Sequence, residues 1–223
     1  MKFLISILAI ILFAGTSLAQ KDTSFFDETA TRRLADMRIK YHKPKGFTEH
    51  RKPECFDIYY KLGDIITCSS YNLTSDDGEC IVFLTIYEKM TEQRASNINK
   101  LFPNNISNVN NIHLNLQKHI FKTFFFENQF KAKEDYLHYY SDSDARKKFN
   151  ADSAFYISFP MDDVRDRYQG RYENFYMHTV QKKDNGHISF YLLYTDKAKK
   201  RLNKYLKPLL QMYTYQGDLR QSE

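Results

Sequence analysis

Thiols and imidazoles are the side chains best suited to do chemistry in this chain, which carries three cysteines and seven histidines among 223 residues. In an oxidising compartment three thiols, Cys55, Cys68 and Cys80, give one disulfide and one spare sulfur. Cys68 ends one apolar run and Cys80 begins the next, with the polar segment SSYNLTSDDGE between them. If that whole segment is a loop, Cys68 and Cys80 face each other at its base and form the expected pair. If the chain turns tightly at Asp77-Gly78, their sulfur atoms lie several residues apart along the strands, outside disulfide geometry. Cys55 follows His50, Arg51 and Lys52, a setting that activates a thiol only where it is also partly exposed. A buried spare thiol is the commoner outcome.

The histidines stand at positions 42, 50, 113, 119, 138, 178 and 187, with no i, i+4 pair and no H-E-x-x-H. His113 and His119 fall on different sides of a helix, so they cannot share a metal from one face. No metal site and no cofactor is therefore expected. A hydrolase in which a cysteine or hydroxyl nucleophile meets a histidine stays open as the alternative, because such partners need only be neighbours in space. Seven glycines supply no G-x-G-x-x-G, no phosphate loop and no G-x-S-x-G turn, which argues against nucleotide-driven chemistry. The acidic clusters Asp76-Asp77-Glu79 and Asp162-Asp163-Asp166 lack the spacing of a calcium loop and read as solvated turns.

Two surfaces suit binding rather than catalysis. Lys197, Lys199, Lys200, Arg201, Lys204 and Lys207 crowd one stretch of helix, a face that fits an anionic surface or an acidic partner and equally fits plain solvation. Tyr172, Tyr176 and Tyr191 fall on one side of a hairpin together with His178, so they either form an exposed aromatic platform or pack under a covering layer.

These residues depend on the elements that carry them. The segment 20–36 is polar and supports a weak helix starting near Asp27 or Thr31. Strands are expected around Ile39 to His42, Phe56 to Tyr60, Asp64 to Cys68 and Cys80 to Tyr87. The last is apolar on both faces and so central in its sheet. Asn-rich residues 103–111 read as a surface loop. An apolar stripe from Val109 to Phe125 reads as an amphipathic helix, with a strand as rival. Ser141 or Ser143 can cap a short helix, and Ala154 to Pro160 is a strand. Asn185-Gly186 between two aromatic runs is a two-residue hairpin signal. It sets Met177 opposite Tyr194 and makes Thr179, Ile188 and Phe190 core. Asp196 to Lys207 closes the domain as a helix, with Ala198, Leu202, Tyr205, Leu206 and Leu209 inward and Pro208 ending or kinking it.

Composition narrows the class. Hydrophobic residues make up 42% and charged residues 27%, with formal charge +6 and no Trp. That balance excludes disorder and a multi-span membrane protein. Met1-Lys2, the apolar run Phe3 to Phe13, and Ser17 and Ala19 before Gln20 form a secretory signal. The run is shorter than a membrane span needs, and no cysteine follows it for lipid attachment. Residues 1–19 are expected to be removed, leaving no transmembrane span in the mature chain.

The run YSDSDARKKFNADSA, followed from Tyr172 by YENFYMHTVQKKDNGHISFYLLYTDKAKKRLNKYL, resembles uncharacterised exported proteins of Bacteroidota-type bacteria. The Lys-Pro-Lys-Gly turn between Ile39 and Phe47, with the hairpin and last helix, resembles the layout of PsbP/Mog1-like α+β domains. The resemblance implies an α+β fold and carries no functional residue with it.

The expected molecule is a signal peptide (1–19), a weakly ordered segment (20–36) and a single α+β domain (37–223). In that domain helices pack mainly on one face of an antiparallel sheet. Its expected role is that of a periplasmic or secreted non-catalytic binding or accessory domain. The partner is an envelope protein, a small ligand or an anionic surface, and not nucleic acid.

Overall fold

Phe155, Ile157 and Phe159 alternate with Tyr156 and Ser158, and a strand is the backbone form that sends such a set to one side. The computed structural model describes residues 25–60, 63–101, 136–160 and 170–217, with the backbone alone for 55–60, 63–68, 98 and 101. The expected signal peptide, the expected loop at 103–111 and the expected helix at 109–125 lie outside the described residues, as do His113, His119 and Asp162-Asp163-Asp166.

In chain order the elements are α1 (Glu28–Asp36), β1 (Ile39–Tyr41), β2 (Phe47–Tyr60), β3 (Gly63–Ser75), β4 (Cys80–Glu88), α2 (Glu92–Leu101) and β5 (Leu137–Tyr139). They continue with α3 (Asp142–Phe149), β6 (Ser153–Pro160), β7 (Asn174–Lys182), β8 (Gly186–Tyr194), α4 (Asp196–Lys199), α5 (Leu202–Leu209) and β9 (Tyr213–Tyr215). Seven strands pair antiparallel in the order β2-β3-β4-β8-β7-β6-β5, and β1 pairs with β9 in a separate two-stranded ribbon. The molecule is thus α+β with an antiparallel sheet. As its unbroken apolar pattern predicts, β4 is central.

Both faces of the sheet are buried. Val82, Leu84, Val180, Phe190 and Leu192 belong to one core cluster, which also takes Ala30 and Leu34 of α1, Ala145 and Phe149 of α3, Ala198 of α4, and Tyr205 and Leu209 of α5. Ile81, Phe83, Phe155, Ile157, Met177 and Leu193 belong to a second. Each Val, Leu, Ile, Phe or Met side chain among them contributes about 1.5–3 kcal/mol relative to exposure.

Local chemistry ends the helices. Asp27 caps α1 by accepting the Ala30 N–H at 2.8 Å, and Phe26, Ala30 and Leu34 dock the described part of the segment expected to be weakly ordered in the core. Ser141 caps α3 through the Asp144 N–H, and Asn150 in the left-handed region stops it; Asn tolerates that backbone better than most residues. The single helix expected over 196–207 is two, because Lys200 and Arg201 break it. Pro208 sits inside the last turn of α5.

Two turns settle the register. β3 and β4 pair Asn72 with Phe83 and Thr74 with Ile81, the register of the tight turn at Asp77-Gly78. The Cys68–Cys80 pairing is therefore corrected: a long loop would have been needed to bring those strands' cysteines level, and Cys80 is a free, buried thiol. The β7–β8 hairpin turns on three residues, Lys183-Asp184-Asn185, and pairs Lys182 with Gly186 and Met177 with Tyr191. Asp184 takes the left-handed position, and Gly186, at φ +113°, is held where a Cβ would come within 2.3 Å of the Tyr87 carbonyl oxygen. The close approach of β4 is what needs a glycine there.

β2 is an edge strand among the described residues. Its ladder to β3 slips between Arg51 and Glu54, where Pro53, lacking an N–H, cannot donate to a ladder.

Candidate functional site

The revised hairpin register separates the tyrosines of the supposed platform. Tyr176 joins the first core cluster, while Tyr172 and Tyr191 join the second, and all three are buried. A shift from a two-residue to a three-residue connection moves one strand by an odd number of places, which exchanges its faces. An exposed aromatic surface at these positions is therefore corrected to core packing.

The basic helix is also changed by its neighbours. Lys197 pairs with Glu79 at 2.6 Å, and Arg201 and Lys204 meet Asp77 at 3.1 Å and 3.6 Å. Asp77 additionally accepts the Tyr205 hydroxyl at 2.7 Å, the Ser75 hydroxyl at 2.8 Å and the Glu79 N–H at 3.3 Å. Partial burial alone would raise its pKa. Those hydrogen bonds and the Lys204 charge outweigh burial and hold it at about 2. The turn expected to be merely solvated is thus the anchor of α4 and α5. Lys200 remains exposed at the break.

Three of the groups that could have been catalytic, Cys80, His178 and His187, are enclosed, whereas His42 and His138 are exposed. Cys80 is fully buried, and burial first, then the Asp77 charge, push its thiol up to about 12. It stays protonated at neutral pH, beside Ser75. His178 is fully buried between β6 and β8, and its Nδ1 meets the Tyr213 hydroxyl at 3.2 Å. Burial pushes that imidazole down to about 3 and the Tyr213 phenol well up, so both are neutral and out of a substrate's reach. His187 is buried and stacked on Tyr87, and His138 is stacked on Tyr156. His42 and His50 belong to the β1–β2 region. Among the described residues no group of three His, Cys, Asp or Glu side chains is placed to hold a metal ion. No helix there is long and apolar enough to cross a membrane.

An open site forms elsewhere, at the tip of the β7–β8 hairpin. A cleft of about 530 Å³ is lined by Arg38, Arg146, Lys182 and Lys183, with Asn150, Asp152, Asp184, Asn185, Gln216 and Gly217. Four parts of the chain converge there: the exit of α1, the end of α3, the hairpin turn and the segment after β9. Arg38, Asn150 and Asp184 are the non-glycine residues with positive φ among the described residues, and all three line this one cleft. Such backbone costs on the order of 1–3 kcal/mol per residue and concentrates at ligand sites.

Hydrogen bonds brace the walls. The Asn150 amide donates to the carbonyls of Tyr215 at 2.8 Å and Gly217 at 3.2 Å. Lys182 Nζ donates to the Asn150 and Gly217 carbonyls at 3.2 Å and 3.4 Å. The Asn185 amide donates to the Met37 carbonyl at 3.0 Å, and Asp152 accepts the Lys183 N–H at 2.7 Å.

The charge balance distinguishes this cleft from the helix face. Among the described residues Arg38, Arg146, Lys182 and Lys183 make no ion pair. Asp184 is already paired with Lys89 at 2.9 Å. That leaves four cations against Asp152 and the carboxyl ends of α1 and α3, each worth about half a negative charge. The balance is positive by about two charges, in a concave site that concentrates the field. Sequence reading missed the cleft because its cations are scattered along the chain; the sole local signal was basic residues flanking Asn150 and Asp184-Asn185.

A second groove, about 520 Å³, runs between α3 and α5 over Tyr140, Phe149, Leu206 and Leu210, with Lys148 and Lys207 at its rim. Lys148 is engaged there by Asp144 at 3.7 Å and lies over the Tyr140 ring.

Scans against protein-family models, curated proteins and solved structures return no match for the chain.

Proposed function

We propose that this chain is an exported, non-catalytic binding domain of the bacterial envelope, whose ligand is a small molecule bearing phosphate or carboxylate groups. The observation that carries this reading is the cleft at the hairpin tip, where four cations without ion-pair partners among the described residues meet three left-handed residues. Guanidinium groups match planar or tetrahedral oxyanions through paired hydrogen bonds, and the cleft volume is that of a small-ligand site. Helices gathered on one face of the sheet hold the cleft's walls at their carboxyl ends, and the apolar leader from Phe3 to Phe13 directs the chain out of the cytoplasm. The buried, neutral states of Cys80 and His178 support binding over hydrolysis.

The test is calorimetric titration of the purified chain with inorganic pyrophosphate and with citrate, at two salt concentrations. Saturable binding is expected, weaker at high salt and reduced at least tenfold by Arg146→Ala or Lys183→Ala. Lys200→Ala is expected to leave it unchanged. Absence of binding, or equal loss in the Lys200 variant, would overturn the reading.

A further inference from the structure

We infer that Cys55 and Cys68 form a disulfide across the β2–β3 hairpin. Their Cα atoms are opposed partners in that antiparallel ladder, inside the register that runs without a slip from Glu54–Ser69 to Tyr60–Gly63. Opposed antiparallel residues stand about 4.5 or 5.5 Å apart at Cα, according to whether the pair is hydrogen-bonded. A disulfide spans about 4.4–6.8 Å. Either kind of pair therefore admits the bond with no movement of the backbone, and opposed positions share one face of the sheet.

The third thiol does not compete. Cys80, on β4 and two strands from β2, opposes Tyr194 of β8 and is fully buried. Burial pushes its thiol up to about 12, so it is protonated near neutral pH, and exchange needs a thiolate. The inference rests on register alone. It stands or falls separately from the anion-binding reading and from export.

Glutathione disulfide is the oxidant by chemical class. One thiol of the pair, as thiolate, attacks a glutathione sulfur, releasing one glutathione and leaving a mixed disulfide. The second thiolate attacks the sulfur of that mixed disulfide on the first cysteine, closing the hairpin bond and releasing a second glutathione. The two thiols lose two electrons and two protons, and one glutathione disulfide becomes two glutathione thiols.

The experiment equilibrates the reduced full chain in a glutathione buffer, quenches with acid, alkylates under denaturing conditions and maps the peptides by mass spectrometry. The expected result is a Cys55–Cys68 cross-linked pair, lighter by two hydrogen atoms than the separate peptides, with the alkyl label on Cys80 alone. A Cys80→Ser chain should form the same cross-link, which covers a defect in either preparation. Cross-linking to Cys80 overturns the inference. So does alkylation or stable glutathionylation of both Cys55 and Cys68 in a buffer rich in glutathione disulfide.

Discussion

The imidazole Nδ1 of His178 lies 3.2 Å from the phenol oxygen of Tyr213, and neither residue reaches solvent. Phe149, Phe190 and Tyr140 rings surround the imidazole, so no charge is available to balance a proton there. Free imidazole titrates near 6.5, whereas His178 takes a proton only near 3. Between those values the unfolded chain binds the extra proton and the folded one does not. Stability therefore falls as pH is lowered through that window, by about 1.4 kcal/mol per pH unit. Urea melts at a series of pH values should show this slope in the native chain and lose it in His178→Phe. An unchanged slope in the variant would place the titrating group elsewhere.

Asp77 acts with the same sign at lower pH. Its carboxylate is held at about 2 against an ordinary 3.8, so its contribution is complete above about 3.8 and is lost as pH falls toward 2. Asp77→Asn removes the charge that Arg201 and Lys204 share. The expected loss near neutral pH is about 1–2 kcal/mol, the lower part of the range for charged hydrogen bonds because the carboxylate is partly solvated. A shift of the denaturant midpoint at pH 7 that vanishes near pH 2 checks it.

Two glycines with similar backbone should respond unequally to alanine. At Gly186 a Cβ would meet the Tyr87 carbonyl oxygen at 2.3 Å and the backbone of Glu88 and Lys89 at 2.9 Å. Gly46, at φ +83°, has open space. Gly186→Ala is expected to cost about 3 kcal/mol or more and Gly46→Ala about 1 kcal/mol. Thermal or chemical melts of the pair separate collision from strain; equal losses would count against the close approach of β4.

Tyr191→Ala is expected to cost about 3–5 kcal/mol, as for other large buried rings. Tyr139→Ala, at a residue 62% exposed, should stay within about 0.5 kcal/mol. Comparable small effects from both would revive a surface role for the hairpin tyrosines.

Strong local patterns carried most of the architecture into the sequence: the apolar β4, the alternation over Phe155 to Phe159, the Ser141 cap and the inward stripe of Ala198, Tyr205 and Leu209. Register was harder to read, since Asp184-Asn185-Gly186 supports either a two- or a three-residue connection. The choice depends on β4, whose backbone crowds Gly186 and lies far away in sequence. That one choice decided whether Tyr176 and Tyr191 share a side. The cleft was illegible for a related reason: Arg38, Arg146, Lys182 and Gly217 meet only after both ribbon and sheet have formed.

The slip in β2 at Lys52 and Pro53 bears on how copies of this chain avoid one another. A long, regular outer strand offers its free amides and carbonyls as a template for a second molecule. Here the template is cut by an irregular step and a missing donor, and at the far side of the sheet β5 is three residues long. Among the described residues, a strand docking on β2 would meet a regular run no longer than Glu54 to Tyr60 rather than the whole 14-residue strand, and on β5 one of 3 residues.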